Sequence, residues 1–244
     1  MFKRCSGARG SILVATVLLF HTITVSSVSS EVLFFDGFDN PNLPAWDVSD
    51  ANPPGDVSVR DGMLILGNNA GLKIEVPGSY TWRDYTTTLR LRFRESEKRT
   101  VFTIFVRYSL GAFGYWTQRQ FSFFPLAGEI TAYTINPKKQ PLNADDLLKA
   151  TKNHGTVQHN FDWNKWHLIE IKTIGSLVSL LIDEQELLIF EDSARLAGTV
   201  AFRTNHEREG ELRVDIDFIR VEESPSDTLI TTWATIKSFT TRGR

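Results

Sequence analysis

Cysteine is nearly missing from this chain: the one residue, Cys5, stands ahead of an N-terminal apolar run. Everything after that run is therefore without disulfides, thiol nucleophiles or cysteine metal sites, and its stability must come from packing. No excess of either charge exists, because 27 Lys and Arg against 29 Asp and Glu give a formal net charge of −2 and a pI near 6.2. Without a global positive field, nucleic acid and anionic membranes are not expected partners. His154 and His159 are five apart and His167 and His206 lie elsewhere, so no H-E-x-x-H or other zinc spacing occurs. G-x-S-x-G and a phosphate-cradling glycine loop are absent as well.

The one long apolar run reads as targeting. Lys3, Arg4 and Arg9 form a basic lead, Ile12 to Phe20 is apolar, and SSVSS places Val28 and Ser30 where signal peptidase requires small residues. We read residues 1–30 as a signal peptide cleaved before Glu31; the alternative is a retained anchor, for which the run is short. Removing three basic and no acidic residues takes the net charge from −2 to −5. A secreted or extracytoplasmic protein with no membrane span after cleavage is the expectation.

The full chain is 41% hydrophobic, and the part after residue 30 is patterned for strands. Pro41, Pro44, Pro53, Pro54 and Gly55 keep 41–56 irregular, with Trp46 as its anchor to the body. VSVRDGMLILG predicts a hairpin at Asp61-Gly62. Leu89, Leu91 and Phe93 alternate with Arg90, Arg92 and Arg94, a solvated basic sheet face, with a polyanion groove as the second reading. RTVFTIFVRY is apolar enough for a central strand. YWTQRQFSFFP and GEITAYTI form a hairpin around Leu126-Ala127-Gly128, and 136–160 reads as an irregular insertion holding one short helix capped by Asn143. WHLIEIKTIG, a hairpin turning at the DEQE stretch, and GTVAFRTN follow.

The last strand, ELRVDIDFIRVEE, places Val214, Ile216 and Phe218 on one face and Asp215 and Asp217 on the other. Its natural partner is the opening strand EVLFFDGFDN. Pairing first with last would make one domain of 31–223, an all-β, two-sheet antiparallel jelly-roll sandwich, followed by a C-terminal tail over 224–244.

In order of motifs the chain resembles the concanavalin A-like lectin/glucanase jelly rolls of the laminin-G-like and keto-disaccharide-hydrolase-like type. LFFDGFDNPNLPAWDV, VRDGMLILG, YTWRDYTTTLRLRF, VFTIFVRY, WHLIEIK, VSLLIDEQELLIF, GTVAFRT and VDIDFIRVEE carry the likeness. The resemblance implies a glycan ligand, bound or cleaved. Family-sixteen glucanases on this fold carry an E-x-D-x-x-E strand; Asp215-Ile-Asp217 is the nearest approach here and lacks the third carboxylate.

Two sets of site residues follow. Sugar binding needs an aromatic face for a pyranose and planar hydrogen-bonding groups beside it. Tyr108, Phe113, Tyr115, Trp116, Gln118, Arg119 and Tyr133 cluster in sequence, with Arg107 and Arg203 opposite the core-facing positions of their strands; we take Arg107, Tyr115, Trp116, Tyr133 and Arg203 as ligand-binding candidates. Asp36 or Asp39 at the first strand, with Asp215 or Asp217 at the last, could supply hard oxygens for a structural calcium; solvated acidic edges are the alternative. The reading is a secreted, non-catalytic, lectin-like module for a glycan or polysaccharide. A hydrolase or lyase, or an adhesion module binding protein, are the alternatives.

Overall fold

The computed structural model describes residues 30–48, 56–94, 100–110, 116–135, 144–193, 197–206 and 213–224. Residues 1–29 of the expected 1–30 signal peptide, 225–244 of the expected 224–244 tail, Phe113, Tyr115 and the expected helix cap Asn143 lie outside them, as does the Trp116 side chain. The described part holds fifteen strands, one short α-helix and a 3-10 turn at Ser79–Thr81. The first strands are β1 (Val32–Asp36), β2 (Trp46–Asp47), β3 (Val57–Arg60), β4 (Met63–Leu66), β5 (Gly71–Ile74), β6 (Tyr85–Phe93), β7 (Thr100–Leu110), β8 (Trp116–Phe124) and β9 (Glu129–Ile135). After α1 (Ala144–Lys149) come β10 (Thr151–Gln158), β11 (His167–Ile174), β12 (Leu177–Ile182), β13 (Gln185–Glu191), β14 (Thr199–His206) and β15 (Val214–Glu223).

Two antiparallel sheets result. The first runs β13-β12-β11-β6-β15-β4-β3, with β1 also against β15; the second runs β10-β9-β8-β7-β14-β5-β2. The ends meet as expected: Phe35 pairs with Arg220 and Asp36 with Ile219. The first half of β15 pairs with β4 and the second half with β1, so two strands share one edge of it. Asp61 and Gly62 both have positive φ, 54° and 68°, the type I′ geometry that twists as the flanking strands do. Asp183 and Glu184 turn the β12–β13 hairpin in the same way.

Alternation builds the core. Leu89, Leu91 and Phe93 of β6 face Phe102, Ile104 and Val106 of β7 and Phe121 and Phe123 of β8, all fully buried. Phe93 meets Phe102 and Phe161 edge-on at 6.1 and 4.9 Å, Phe102 stacks on Phe202 at 6.0 Å, and Trp46 lies 5.8 Å from Phe202. Such contacts add about 0.5–1.5 kcal/mol per pair to the burial itself. Trp46 is thus the anchor its position suggested.

Three expectations are corrected. The 136–160 segment is not all insertion: Thr151–Gln158 is the edge strand β10, paired with β9 from Thr151–Ile135 to Gln158–Glu129, and His154 lies in it. Its outward side is polar and an irregularity at Asn153/Gly155 interrupts it, which hides the period of two. In β15 the register shifts between Ile216 and Phe218. Val214, Ile216, Ile219 and Val221 are therefore buried, while Phe218 turns outward and stacks on Phe35 at 6.4 Å. In β7 a shift between Val106 and Ser109, with Arg107 at φ 51°, turns Arg107 inward.

Candidate functional site

The outer face of the second sheet is built by registered rows. In one, Arg203 stands between Gly71 and Thr103, Thr103 pairs with Ser122, Ser122 with Thr131 and Thr131 with Thr156. In the next, Asp47, Lys73, Ala201, Phe105, Gln120, Tyr133 and Asn153 follow one another across seven strands. Each of these positions alternates with a core residue, so their side chains share the face pointing away from the sandwich interior. Phe105, Tyr108 and Ala201 form an apolar cluster separate from the main core.

The face mixes buried and accessible side chains. Thr103, Ser122, Thr131, Phe105 and Ala201 are each at most 8% exposed, while Gln118, Gln120, Tyr133 and Lys73 are half-buried and Arg203 is exposed. Polar groups form chains along it. Gln118 donates to Gln120 at 3.0 Å, the Thr103 and Ser122 hydroxyls lie 3.3 Å apart, and those of Thr131 and Thr156 2.9 Å apart. At the sheet edge Lys73 pairs with Asp47 at 2.8 Å and reaches Glu75 at 3.6 Å, and Tyr80 donates to Glu75 at 2.8 Å. Burial pulls the Lys73 ammonium down, but Asp47 and its neighbours more than reverse this, so its pKa is raised. Arg203 has no ion-pair partner among the described residues.

Tyr133 and Arg203 are thus brought onto one face, in adjacent rows. Arg107 goes elsewhere. It is wholly buried between the sheets, donating to the Arg83 carbonyl at 3.0 Å, the Gly175 carbonyl at 2.8 Å and Asp84 at 3.3 Å. Its backbone N–H donates to the Tyr85 hydroxyl at 2.6 Å, which donates onward to the Gly198 carbonyl. Burial and the charge of Arg119 pull its guanidinium down to about 10, and burial pushes the Tyr85 phenol up to about 12. Arg119 is likewise interior, paired with Asp192 at 2.9 Å. Reading outward-facing residues by simple alternation fails at Arg107 because of the β7 bulge. Phe105, Gln120 and the hydroxyl row were missed, although hydroxyls at period two opposite Phe102, Ile104, Phe121 and Phe123 were the available signal.

Of the four carboxylates proposed for calcium, three take nitrogen donors as partners. Asp36 gives one oxygen to the Phe38 N–H and the other to the Trp46 indole N–H, both at 2.7 Å. Asp215 is fully buried under Arg92, Arg94 and Arg213 at 2.9, 2.8 and 2.8 Å. Burial pushes its carboxyl up, but hydrogen bonds from Arg213 and Arg92 and the charge of Arg94 hold it below its ordinary value. Asp217 pairs with Arg90 at 3.0 Å, and Asp39 is exposed. Among the described residues no group of three or more His, Cys, Asp or Glu gathers as an oxygen-ligated cation requires.

No family model matches the chain, and no curated protein matches it in sequence. Solved structures resemble it in shape. The carbohydrate-binding module CBM66 from Bacillus subtilis superposes with a TM-score of 0.51 at 9% identity, covering 70% of this chain and 91% of that one. The laminarinase from Rhodothermus marinus gives 0.59 at 12% identity, with 80% and 98% covered. The Bacillus licheniformis β-glucanase gives 0.60 at 12%, with 80% and 99% covered. At these identities the likeness is one of fold: with its two registered sheets this chain is an antiparallel jelly-roll sandwich, folded like these solved structures.

Proposed function

We propose that this protein is a secreted, non-catalytic module that binds a glycan along the outer face of its second sheet. The observation that carries the reading is the pair of registered rows: hydroxyls from Thr103, Ser122 and Thr131 and the amide of Gln120, with Gln118 bonded to it, beside the rings of Phe105 and Tyr133. A saccharide presents the matching surface, hydroxyls at its edges and apolar ring faces between them. Arg203, exposed on the same face, adds a planar donor with five N–H groups.

Cleavage would need two carboxyls about 5–9.5 Å apart across the bond, one of them a proton donor. Glu129 and Asp47 lie at opposite sides of this face, five strand spacings or about 24 Å apart. Asp47 and Glu75 are nearer each other, but the Lys73 ammonium bridges them. Binding without chemistry is the reading this arrangement favours.

Affinity electrophoresis in gels carrying soluble neutral glucans tests it. Tyr133→Ala and Arg203→Ala should each weaken retention by about tenfold with an unchanged thermal midpoint. Retention equal to wild type in both variants would end the proposal, and reducing-sugar release by the wild type would turn it toward a hydrolase.

A further inference from the structure

The outer face of the first sheet, on the opposite side of the sandwich, carries a charged array that the proposed function does not use. Arg90, Arg92 and Arg94 alternate along β6 and just past it, and Arg213 stands before β15. Arg92, Arg94 and Arg213 each turn the Nε–H toward the single carboxylate of Asp215. Arg94 Nη1 also reaches the Asn164 side chain at 3.3 Å, Arg92 Nη2 lies 3.9 Å from Met63 Sδ, and Arg90 Nη1 meets Asp217.

Approach through Nε leaves other donors over. Both terminal nitrogens of Arg213, Nη2 of Arg94 and Nη1 of Arg92 have no acceptor among the described residues. The Arg90 and Arg92 guanidiniums lie 5.0 and 4.4 Å from the Trp166 ring centroid, which holds them extended over the sheet. Four guanidiniums against two carboxylates give a local excess of two positive charges, in a chain whose formal net charge is −2. The side chains of Arg90 and Arg213 are 46% and 45% exposed, so the array is within reach of a ligand.

We propose that this array is a binding site for the sulfate groups of a sulfated polysaccharide. All four cations are arginine, whose planar, weakly hydrated fork suits oxyanions better than an ammonium does. Residues at i, i+2 and i+4 on a strand are spaced about 6.6–6.8 Å apart. Arg90, Arg92 and Arg94 therefore mark a line of about 13 Å, which a linear chain with repeated anionic groups can follow and a lone ion cannot. Trp166 and Asp215 fix the guanidiniums beforehand, which lowers the ordering cost of binding. Single-stranded nucleic acid is the poorer match, since it relies on free aromatic faces for its bases and the Trp166 ring is covered by its arginines.

The test is affinity electrophoresis of the full chain against dextran sulfate, unmodified dextran and single-stranded DNA, at low and high salt. Dextran sulfate should retard the protein at low salt and lose its hold at high salt, with unmodified dextran indifferent to this face. Arg213→Gln should weaken dextran sulfate binding about fivefold and Arg90→Gln a similar amount. Because Asp215 keeps its whole arginine shell in Arg90→Gln, that variant separates ligand binding from folding. The proposal is overturned if dextran sulfate does not bind at low salt, if Arg90→Gln binds it like wild type, or if single-stranded DNA binds more tightly than dextran sulfate.

Discussion

Trp46 donates its indole N–H to Asp36 Oδ2 at 2.7 Å, and the same carboxylate takes the Phe38 N–H on its other oxygen. Asp36 ends β1 in the first sheet and Trp46 begins β2 in the second, so one side chain ties the two layers together where the chain enters the fold. Asp36→Ala would leave a buried indole N–H without an acceptor and release the Phe38 turn, held at φ 59°. A loss of about 2–3 kcal/mol in urea unfolding is expected. Because its oxygens are occupied by N–H groups, calcium or a chelator should leave the thermal midpoint unmoved, and a calcium-dependent rise abolished by Asp36→Ala would contradict that.

Asp215 answers three guanidiniums from a fully buried position, so removing it should cost more than removing any one of them. Asp215→Ala is expected to lose about 3–5 kcal/mol, the range for breaking a buried ion pair from one side. Asp217→Ala, whose carboxylate is solvated and meets only Arg90, should lose no more than about 1 kcal/mol. Equal losses from the two would show that the arginine shell is not structural.

Gly198 faces the β7 bulge so closely that a Cβ there would lie 2.6 Å from the Arg107 carbonyl oxygen and 2.7 Å from the Tyr108 nitrogen, all backbone. Gly198→Ala must push β14 away from β7 and disturb the Tyr85 hydroxyl that bonds both segments. We expect it to destabilise by about 2–3 kcal/mol or more. Gly62→Ala, with positive φ but nothing near its Cβ, should cost only about 1 kcal/mol.

Acid should weaken the fold in two stages. His154 is pulled below its ordinary value by burial and then by Lys152, and His159 by burial and then by His167, while Asp192 beside the first and Asp183 and Asp162 beside the second oppose the shift. The folded state resists protons that the unfolded chain accepts, so stability present above the ordinary histidine value of about 6.5 is lost as pH falls below it. Asp183 and Asp215 are both depressed, and their contribution persists above their ordinary value and is lost only at more acidic pH, as their folded values are crossed. Urea midpoints measured from pH 8 to pH 5 should fall, and the His154→Gln/His159→Gln pair should flatten that slope; a level wild-type profile would refute the first stage.

Strand existence was legible because the chain alternates: Leu89, Leu91 and Phe93, or Phe102, Ile104 and Val106, can bury one side only as strands. The Asp61-Gly62 hairpin was legible from its turn dipeptide, and the meeting of first strand with last was an inference from two strand-like segments at the ends of the body, which the pairing of Phe35 with Arg220 bears out. Candidate site residues were only partly so. Tyr133 and Arg203 could be placed by alternation, whereas Arg107 and Phe218 could not, because each lies at a register shift that inverts the faces beyond it.

By itself, then, the order of residues determined which segments are extended, where they turn and which side of each regular strand is apolar, since those depend on neighbours a few positions away. Tertiary structure alone decided which outward residues stand side by side. Arg203, Thr103, Ser122 and Thr131 come from four strands, and three arginines from two segments converge on Asp215. Strand pairing and bulge position are set by long-range packing, and a slip of one residue would have sent every one of these side chains to the other face.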